Sequence, residues 1–394
     1  MALTSLPNQK TPARPVEITF AAETGTPSSN QELLLIGHAA SGATGINTVI
    51  NISNSGDLTA ASGECATKFG QGSELQKMVL AAIRANQVTG RFVAIKAVPL
   101  DSAETGFGAS DAALTAIDRV KAEFVVSPYD GQDSALRDKL KATVAAMSGP
   151  HRPANNQYGS FGVVFNRAQS DPSLLDQFDT QYIIGIWLYD SGTPAYSVGE
   201  MAAASAAIMC GNNAPFNPLD DVTINGIAAP LAQEDWPTVG FGLESEAALN
   251  KGWTPLRVKP NEEVSIVRSV TGRISADGSG VPVVTAYYDV QDFQVLFYWR
   301  KTVFTRLSQP DFKQRKASAE TAREIKAELI RLAVAFEDQQ MFQAVSQLGK
   351  QFQVERATSD RHTFDVKTPV NVIPGLHVIR TNIEATTEFD ELSI

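Results

Sequence analysis

The stretch that decides the fold class is "FGQGSELQKMVLAAIRANQ" (69–87), which lies between the apolar runs "ELLLIGHA" (32–39) and "RFVAIKAV" (91–98). Ser73, followed three residues later by Gln76, has the capping-box pattern that starts a helix. Apolar residues then recur at helical spacing, whereas the two flanking runs are short and continuous, as in buried strands. This part of the chain therefore predicts a strand, a loop, a helix and a second strand.

The same alternation of helix and strand continues downstream. The helical patterns are "DAALTAIDRV" (111–120), "SALRDKLKATVAAM" (134–147) and "SLLDQF" (173–178). The strand-like runs between and after them are "EFVVSPY" (123–129), "FGVVFN" (161–166) and "QYIIGIWLYD" (181–190). Strands that are apolar throughout and separated by helices predict a mostly parallel sheet with helices on both faces. The middle of the chain is therefore predicted to be an α/β domain.

The C-terminal part has a different pattern. The stretch 263–290 predicts two antiparallel strands joined by a turn at Asp277-Gly278. Helical sequence returns at 318–345, with one apolar stripe formed by Ala322, Ile325, Leu329, Leu332 and Phe336. This order predicts an α+β C-terminal domain with antiparallel strands.

Both ends of the chain have strand patterns with little nearby sequence to pair with. The apolar residues of these two extended arms are Val16, Ile18, Phe20, Phe389, Leu392 and Ile394. Apolar residues change parity near Asp390, so 377–385 is expected to complete the C-terminal domain and "EFDELSI" (388–394) to form a strand in a neighbouring subunit. The arms carry opposite charges, which are Lys10 and Arg14 at one end and Glu388, Asp390 and Glu391 at the other. We expect this opposite charge to help order the two arms on one sheet.

The composition, with 43% hydrophobic and 19% charged residues among 394, is that of a folded soluble protein of two or three domains. The net charge of −10 is spread along the chain, which argues against a nucleic-acid partner. No run of about 18 apolar residues is present, so direct membrane insertion is not expected. The N-terminus lacks a secretory signal pattern, and Cys65 and Cys210 are expected to be small core residues in a reducing cytoplasm.

No motif for catalysis, cofactor binding or metal binding holds up in the sequence. Ser160 in "YGSFG" (158–162) lacks the spacing of a strand-to-helix nucleophile turn. The glycine stretches "GQGSEL" (70–75) and "GFGASD" (106–111) lack the third glycine of a dinucleotide site. The four histidines lie far apart, and none has a metal-ligand spacing. Nothing in these motifs demands catalysis, and we expect no cofactor and no metal.

A basic patch precedes the long helical stretch of the C-terminal part. It consists of Lys313, Arg315 and Lys316 in an otherwise acidic protein. Two interpretations remain open: a solvated helix entrance, or a docking patch for an acidic partner surface, since complementary charge fixes orientation and register.

Several stretches together resemble the tail sheath proteins of contractile phage tails, specifically the Mu-like group. In "FGQGSELQKMVLAAIRAN" (69–86), Phe-Gly and Gly-Ser pairs precede a helix, as in that family. The stretches "PAYSVGEMAAASAAIM" (194–209) and "NAPFNPLDDVTINGI" (213–227) are similar to the family's alanine-rich helix, Pro-Leu segment and Gly-Ile turn. The stretch "LNKGWTPLRVKPNEEVSIVRSVT" (249–271) resembles the family's glycine-started strand and the strand after it, with Val270 in place of isoleucine. The resemblance covers most of the chain, while the terminal helix and tail have no residue-by-residue match.

The resemblance implies a structural subunit without enzyme activity, whose middle domain has a subtilisin-like α/β arrangement without a working catalytic triad. It also implies hexameric rings of identical subunits, stacked helically around an inner tail tube protein, with baseplate and tail terminator proteins as further partners. Terminal arms in such sheaths add strands to the sheets of adjacent subunits, and the sheath shortens when the baseplate triggers it. The basic patch of Lys313, Arg315 and Lys316 is then expected to face the tube. The particle would be assembled in the host bacterial cytoplasm and carry the protein in its tail.

Pattern and resemblance together predict five segments. They are an N-terminal extended arm with a strand (1–25), an N-terminal α/β segment (26–100), a subtilisin-like sheath domain (101–275), a C-terminal α+β domain (276–386) and a C-terminal arm strand (387–394). Two other function classes stay open at this point. One is an α/β hydrolase-like enzyme with an unrecognised site, and the other is a different self-assembling filament or shell protein.

Overall fold

A computed structural model describes most of the chain between residues 32 and 376. The described stretches are 32–87, 93–148, 159–167, 171–188, 196–212, 217–228, 243–259, 261–274, 289–356 and 364–376. The predicted arms at 1–25 and 387–394 lie outside these stretches, as do the Asp277-Gly278 turn and residues 377–386. The prediction of these parts therefore stays a prediction.

As far as residue 266, the described elements are strands interspersed with helices. The strands are β1 (Glu32–His38), β2 (Ile50–Asn51), β3 (Ala94–Leu100), β4 (Phe124–Asp130), β5 (Phe161–Asn166), β6 (Ile183–Trp187), β7 (Thr223–Ala228), β8 (Trp253–Val258), β9 (Glu263–Ile266), β10 (Gln353–Arg356) and β11 (Phe364–Lys367). The helices are α1 (Leu58–Phe69), α2 (Glu74–Gln87), α3 (Ala112–Ile117), α4 (Ser134–Met147), α5 (Val198–Gly211), α6 (Leu243–Asn250), α7 (Val290–Leu307), α8 (Pro310–Lys313), α9 (Ala319–Asp338) and α10 (Val345–Leu348).

Among the described residues, nine strands form one sheet in the order β2-β3-β1-β4-β5-β6-β8-β9-β7. The strands from β3 to β8 in this order run parallel, and Leu35 of β1, for example, lies beside Ala97 of β3 and Val126 of β4. β2 at one end of the sheet and β9 and β7 at the other run antiparallel to their neighbours. The prediction of a mostly parallel sheet is confirmed. The sheet also contains strands from both sides of residue 100, where the sequence suggested a segment boundary.

Helices cover both faces of this sheet. Because successive side chains of a strand point to opposite faces, each strand contributes to two cores. Leu33 and Leu35 of β1 join a core built with α1, α2 and α5. Leu34 and Ile36, which point the other way, join a core built with α3 and α4. All four side chains are fully buried, which explains why β1 has no polar residue between Glu32 and His38.

The start of α2 follows the predicted cap with one difference. The Ser73 hydroxyl accepts a hydrogen bond from the Gln76 backbone N–H at 3.2 Å, which is the first half of a capping box. The Gln76 side-chain oxygen accepts from the backbone N–H of Gly72 at 2.6 Å, one residue before the position that a full box would use. The cap therefore ties down the loop before α2 as well as the helix itself.

The alanine-rich helix α5 packs between α2 and strands β4 and β5. Ser197 and Glu200 form a complete capping box, with hydrogen bonds of 3.1 and 2.7 Å, so the helix start is sharply defined. A methyl group built on Gly199 would lie 2.7 Å from the Met78 sulfur. Small side chains are therefore what permits α5 and α2 to approach this closely.

The C-terminal helices form a third core. Ile325, Leu329, Leu332 and Phe336 of the predicted stripe are buried in it, whereas Ala322 is half-buried. α7 belongs to two cores at once. Its residues Val290, Phe293 and Phe297 pack on the sheet side, and its residues Val295 and Trp299 pack with α9.

An ion pair joins the segment that follows β9 to the residue that precedes α7. We call this contact between Arg268 and Asp289 the neck. Arg268 donates two hydrogen bonds to Asp289, of 2.8 and 3.0 Å, and the Asp289 side chain is only 3% exposed. Val270 and Asp289 also form an antiparallel bridge, and the Val290 N–H donates to the Ser269 carbonyl at 3.1 Å. Val270 and Asp289 therefore lie directly beside each other, although 18 positions of the sequence lie between them.

Some elements differ from the sequence-based expectation. The helix predicted over 318–345 ends at Asp338, because Gln340 takes a positive φ and Phe342 then pairs with Val372. The stretch 173–178 does not form an α-helix. A short 3-10 turn covers Pro172–Leu174, and Leu175 and Phe178 are buried in the core that contains α3 and α4. Helices α1 and α7 were not expected from the sequence pattern.

Candidate functional site

The predicted basic patch lies in the connection between α8 and α9. Lys313 is the last residue of α8, and Arg315 and Lys316 follow it in an exposed turn. Arg315 forms an ion pair of 2.7 Å with Glu324 of α9, and its Nε donates to the Asp311 carbonyl at 3.0 Å. The carbonyl of Lys316 accepts from the Thr321 hydroxyl at 2.8 Å. The turn is therefore fixed, and the charge of Arg315 is partly compensated within the chain.

A network centred on Arg306 holds the helices around this turn. Arg306 of α7 forms ion pairs with Asp311 at 2.9 Å and with Glu328 at 2.6 Å, and its guanidinium lies 4.7 Å from the ring centre of Phe312. Glu328 also accepts from Arg331 at 2.7 Å. The hydrogen bond from Arg331 lowers the pKa of Glu328, burial opposes this, and Arg306 lowers it further. The network fixes α7, α8 and α9 relative to one another.

The two-stranded sheet of β10 and β11 lies beside the basic patch. Arg356, the last residue of β10, donates to the carbonyl of Ala317, which precedes the N-cap of α9. Within the described residues, β10 and β11 pair only with each other, from Gln353 beside Lys367 to Arg356 beside Phe364. Most of their residues are exposed, including Val366 at 41%. Isolated two-stranded sheets are at best marginally stable in water, so outer edges of this kind are suited to pairing with further strands.

The arm residues predicted from the sequence all fall outside the described residues. They are Lys10, Arg14, Val16, Ile18, Phe20, Glu388, Phe389, Asp390, Glu391, Leu392 and Ile394. The structure therefore brings together the basic patch and the two-stranded sheet, and the assignment of the arms stays a prediction. The proximity of the patch to β10 was not foreseen, since 39 residues separate Arg356 from Ala317 in sequence.

The serine, cysteine and histidine side chains considered in the sequence are buried or hydrogen-bonded where the structure describes them. The Ser160 hydroxyl is buried and donates to the Ala122 carbonyl at 2.6 Å. Cys65 and Cys210 are buried, and burial raises the pKa of the Cys65 thiol to about 11 and that of Cys210 well above its ordinary value. Of the four histidines only His38 lies in the described part of the chain, where it contacts Glu74.

Metal binding and membrane crossing have no candidates in the part of the chain that the structure describes. No group of three or more His, Cys, Asp and Glu side chains is arranged there to hold a metal ion. Among the described helices, none combines the length and the apolar character needed to cross a bilayer.

Comparison with known proteins gives a match at the level of structure. No protein-family model and no curated protein matches the sequence. A chain in the anti-feeding prophage baseplate has the same fold, with a TM-score of 0.61 and 11% identity over 98% of this chain and 100% of that chain. The sheath tail protein of Desulfitobacterium hafniense matches with a TM-score of 0.57 and 12% identity, over 87% of this chain and 93% of its own. That of Listeria innocua matches with the same TM-score and identity, over 87% of this chain and 92% of its own.

At these identities the likeness establishes the fold. The mixed, mostly parallel nine-stranded sheet with its covering helices, and the small antiparallel sheet near the C-terminus, make up an arrangement shared over most of the chain. The resemblance noted in the sequence is confirmed at this level: the chain has the fold of sheath tail proteins.

Proposed function

We propose that this protein is the sheath subunit of a contractile, phage-like tail. The observation that carries the proposal is the extent of the shared fold, which includes nearly all of this chain and the whole of a chain from the anti-feeding prophage baseplate. A fold alone does not dictate a function, so the proposal also draws on the motif resemblance in 69–86, 194–227 and 249–271. Its role is structural, and no catalytic residue is assigned.

The proposal includes a specific assembly. Subunits form hexameric rings that stack helically around an inner tail tube protein, between a baseplate and a tail terminator protein. The α/β domain has a subtilisin-like arrangement without a working triad and serves as a rigid body. The protein is assembled in the host bacterial cytoplasm and belongs to the tail of the particle, where contraction drives the tube through a target envelope.

Strand exchange supplies the links between subunits in this proposal. The outer edges of β10 and β11, which have no further strand partner within the described residues, are the acceptors that we assign to the arms. An unpaired edge offers N–H and C=O groups in a fixed register. Each added hydrogen bond contributes about 1 kcal/mol net, so one six-residue arm would hold with only a few kcal/mol. A lattice in which every subunit gives two arms gains by multivalency, since each link raises the effective concentration of the next.

Contraction requires no nucleotide on this proposal. Assembly on the tube would trap the sheath in a packing of higher free energy, which a kinetic barrier preserves until the baseplate rearranges. Rigid subunits can then change their interfaces while the arms keep neighbours linked.

The first experiment is electron microscopy of the purified full chain by negative staining. We expect hollow striated cylinders, and deletion of 387–394 is expected to leave a folded monomer that forms none. A matched control keeps the strand and removes its charge by the substitutions Glu388→Gln, Asp390→Asn and Glu391→Gln. This control should still form cylinders at high salt, where the charges of the arms are screened. A full chain that stays monomeric at all concentrations, or a deletion that still forms cylinders, would contradict the assembly or the arm assignment, respectively.

The opposite charges of the arms permit a separate test. If the arms meet on one sheet, the double substitution Lys10→Glu and Arg14→Glu should weaken assembly at low salt and have a smaller effect at high salt, where charge is screened. Light scattering across a salt series measures this. Equal assembly of both forms at low salt would exclude a charge interaction between the arms.

The tube-facing role of the basic patch is best tested at Lys316. Reversal of Arg315 would also break its ion pair with Glu324, whereas Lys316 is exposed. We expect Lys316→Glu to shorten the lifetime of extended sheaths on tubes, and Lys350→Glu, at an exposed lysine elsewhere in the C-terminal part, to leave it unchanged. If extended sheaths of the two variants have equal lifetimes, the proposed contact between the basic patch and the tube is wrong.

A further inference from the structure

A cluster of polar groups lies where the carboxyl ends of neighbouring parallel strands meet. His38 ends β1, Tyr129 lies near the end of β4, and the loop after β3 carries Glu104 and Gly106. Glu74 reaches the cluster from the first turn of α2. The edge formed by the carboxyl ends of strands is where α/β sheets commonly place their functional groups. The sheath role proposed above makes no use of this cluster.

Both ring nitrogens of His38 face hydrogen-bond acceptors. Nδ1 lies 2.5 Å from a carboxylate oxygen of Glu74, and Nε2 lies 2.9 Å from the backbone carbonyl oxygen of Glu104. A carbonyl oxygen and a carboxylate oxygen can only accept, so each nitrogen must carry a proton for both contacts to be hydrogen bonds. The geometry therefore fits the imidazolium form. The hydrogen bond to Glu74 raises the pKa of His38 above 6.5, burial opposes this, and the Glu104 carbonyl and the two carboxylates add to the rise.

Tyr129 provides a second hydrogen bond to the same loop. Its hydroxyl donates to the carbonyl of Gly106 at 2.5 Å, and its oxygen lies 3.3 Å from Nε2 of His38. Burial raises the pKa of Tyr129, so its hydroxyl keeps its proton across the range in which His38 titrates. The ring of Tyr129 meets the rings of His38 and Phe107 edge-on, with centroids 5.5 and 5.4 Å away. Two backbone carbonyls of the loop are thus held by two neighbouring side chains.

We propose that His38 is a single-proton latch for the loop 101–108. In the imidazolium form, Nε2–H holds the Glu104 carbonyl and the Tyr129 hydroxyl holds the Gly106 carbonyl. Release of one proton to solvent leaves the remaining proton on Nδ1, because the Glu74 carboxylate stabilises a donor there. Nε2 then presents a lone pair to the Glu104 carbonyl oxygen, and that contact becomes repulsive.

The loss of this proton affects both anchors of the loop. The bare Nε2 is an acceptor 3.3 Å from the Tyr129 oxygen, so the Tyr129 hydroxyl can rotate to donate to it and leave the Gly106 carbonyl. One deprotonation therefore frees two backbone carbonyls of the loop. The titratable groups that face His38 are Glu74 on α2, Glu104 on the loop and Tyr129 on β4.

Hydrogen exchange of the full chain, followed by mass spectrometry from pH 5.5 to 9, tests the latch. The amides to follow belong to Glu104, Asp111 and Ala113, which are hydrogen-bonded within or at the end of this loop. After correction for the intrinsic rate, we expect their protection to fall by about fivefold to tenfold as pH rises through the pKa of His38, as for the loss of one or two hydrogen bonds. Protection that stays constant over this range would overturn the proposal.

Two matched variants separate the latch from general destabilisation. Glu74→Gln removes the charged partner of Nδ1 and should move the midpoint of the protection change down by about one pH unit or more. Glu104→Gln removes a carboxylate from the same cluster but keeps the carbonyl that Nε2 binds, so its shift should be smaller. Equal shifts in both variants would show that charge alone, without the hydrogen-bond geometry, sets the midpoint, and would overturn the latch.

The tautomer of neutral His38 gives a readout that packing alone would not change. Nitrogen-15 NMR of the full chain with labelled histidine distinguishes the Nδ1–H tautomer from the Nε2–H tautomer. The His38 signals are assigned by their disappearance in the His38→Gln variant. We expect the Nδ1–H tautomer above the midpoint, whereas a free imidazole favours Nε2–H. Observation of Nε2–H above the midpoint would refute the mechanism even if the loop responded to pH.

Discussion

Glu64 shows how a single side chain fixes a loop. Its carboxylate accepts from the backbone N–H groups of Ser53 and Asn54 at 3.0 and 3.1 Å, and from Lys68 at 2.5 Å. Burial opposes ionisation, but the hydrogen bonds from Lys68, Ser53 and Asn54 outweigh it and lower the pKa of Glu64 to about 2. Helix α1 is thereby joined to the segment after β2. No sequence pattern indicates this role, because the backbone partners lie 10 and 11 residues away in a loop without periodicity.

We predict that Glu64→Gln lowers the free energy of unfolding by about 1 kcal/mol at pH 7, because the amide loses the charge-assisted hydrogen bonds. A carboxyl whose pKa is lowered on folding stabilises the native state above its unfolded pKa of 4.5, and this contribution fades as pH falls toward 2. The difference between variant and wild type should therefore shrink at pH 3. Urea unfolding at both pH values measures it. Glu355→Gln, at an exposed position of β10, is the control and should change stability by only a few tenths of a kcal/mol.

The elements that the sequence predicted best have one clear apolar face or one continuous apolar run. The bounds of α4 at 134–147 and β5 at 161–166 agree with the sequence pattern to the residue. α7 was missed, because it packs on two cores and its apolar residues, Val290 and Phe297 on one side and Trp299 on another, form no single stripe. α1 was missed because its buried residues include the small Ala61 and Cys65, which give a weak periodic signal.

The close packing of Phe297 of α7 against Gly159 predicts that a larger side chain at Gly159 destabilises the protein. A methyl group built there would lie 2.0 Å from the ring of Phe297. We therefore expect Gly159→Ala to destabilise the protein by about 1–3 kcal/mol through displacement of α7. Gly63→Ala is the matched control, because Gly63 lies inside α1 with nothing within 4 Å of the added methyl. It should stabilise by about 0.5–1 kcal/mol, so a loss of stability there or none at Gly159 would contradict the packing described.

At the scale of the whole molecule, α7 makes the sheet and the C-terminal helices interdependent. Because its residues are buried in both cores, neither core is complete without it. The sequence predicted an α/β part and an α+β part, but not this shared helix, because the order of elements does not reveal which of them serves two cores. It also could not reveal the route of the chain through the nine-stranded sheet, which depends on contacts between distant strands.

The shared helix predicts cooperative unfolding. Phe336→Ala in the C-terminal core should lower the free energy of unfolding by about 3–5 kcal/mol. In hydrogen exchange, the most protected amides of β5, which lie in the sheet, should lose as much protection as the amides of α9. Val334→Ala, two residues away and 41% exposed, should change neither. A loss of protection confined to α9 would mean that the two cores unfold independently.

The neck formed by Arg268 and Asp289 has a consequence for engineering. Since Val270 and Asp289 are paired, a guest domain spliced into 275–288 would be flanked by two chain segments that the host already holds together at that pair. A domain whose N- and C-termini lie close together can be inserted between such segments without forcing them apart, so the packing of the host is kept. For the sheath subunit proposed above, a fluorescent reporter carried there would mark the particle and leave both proposed arms free of any fusion.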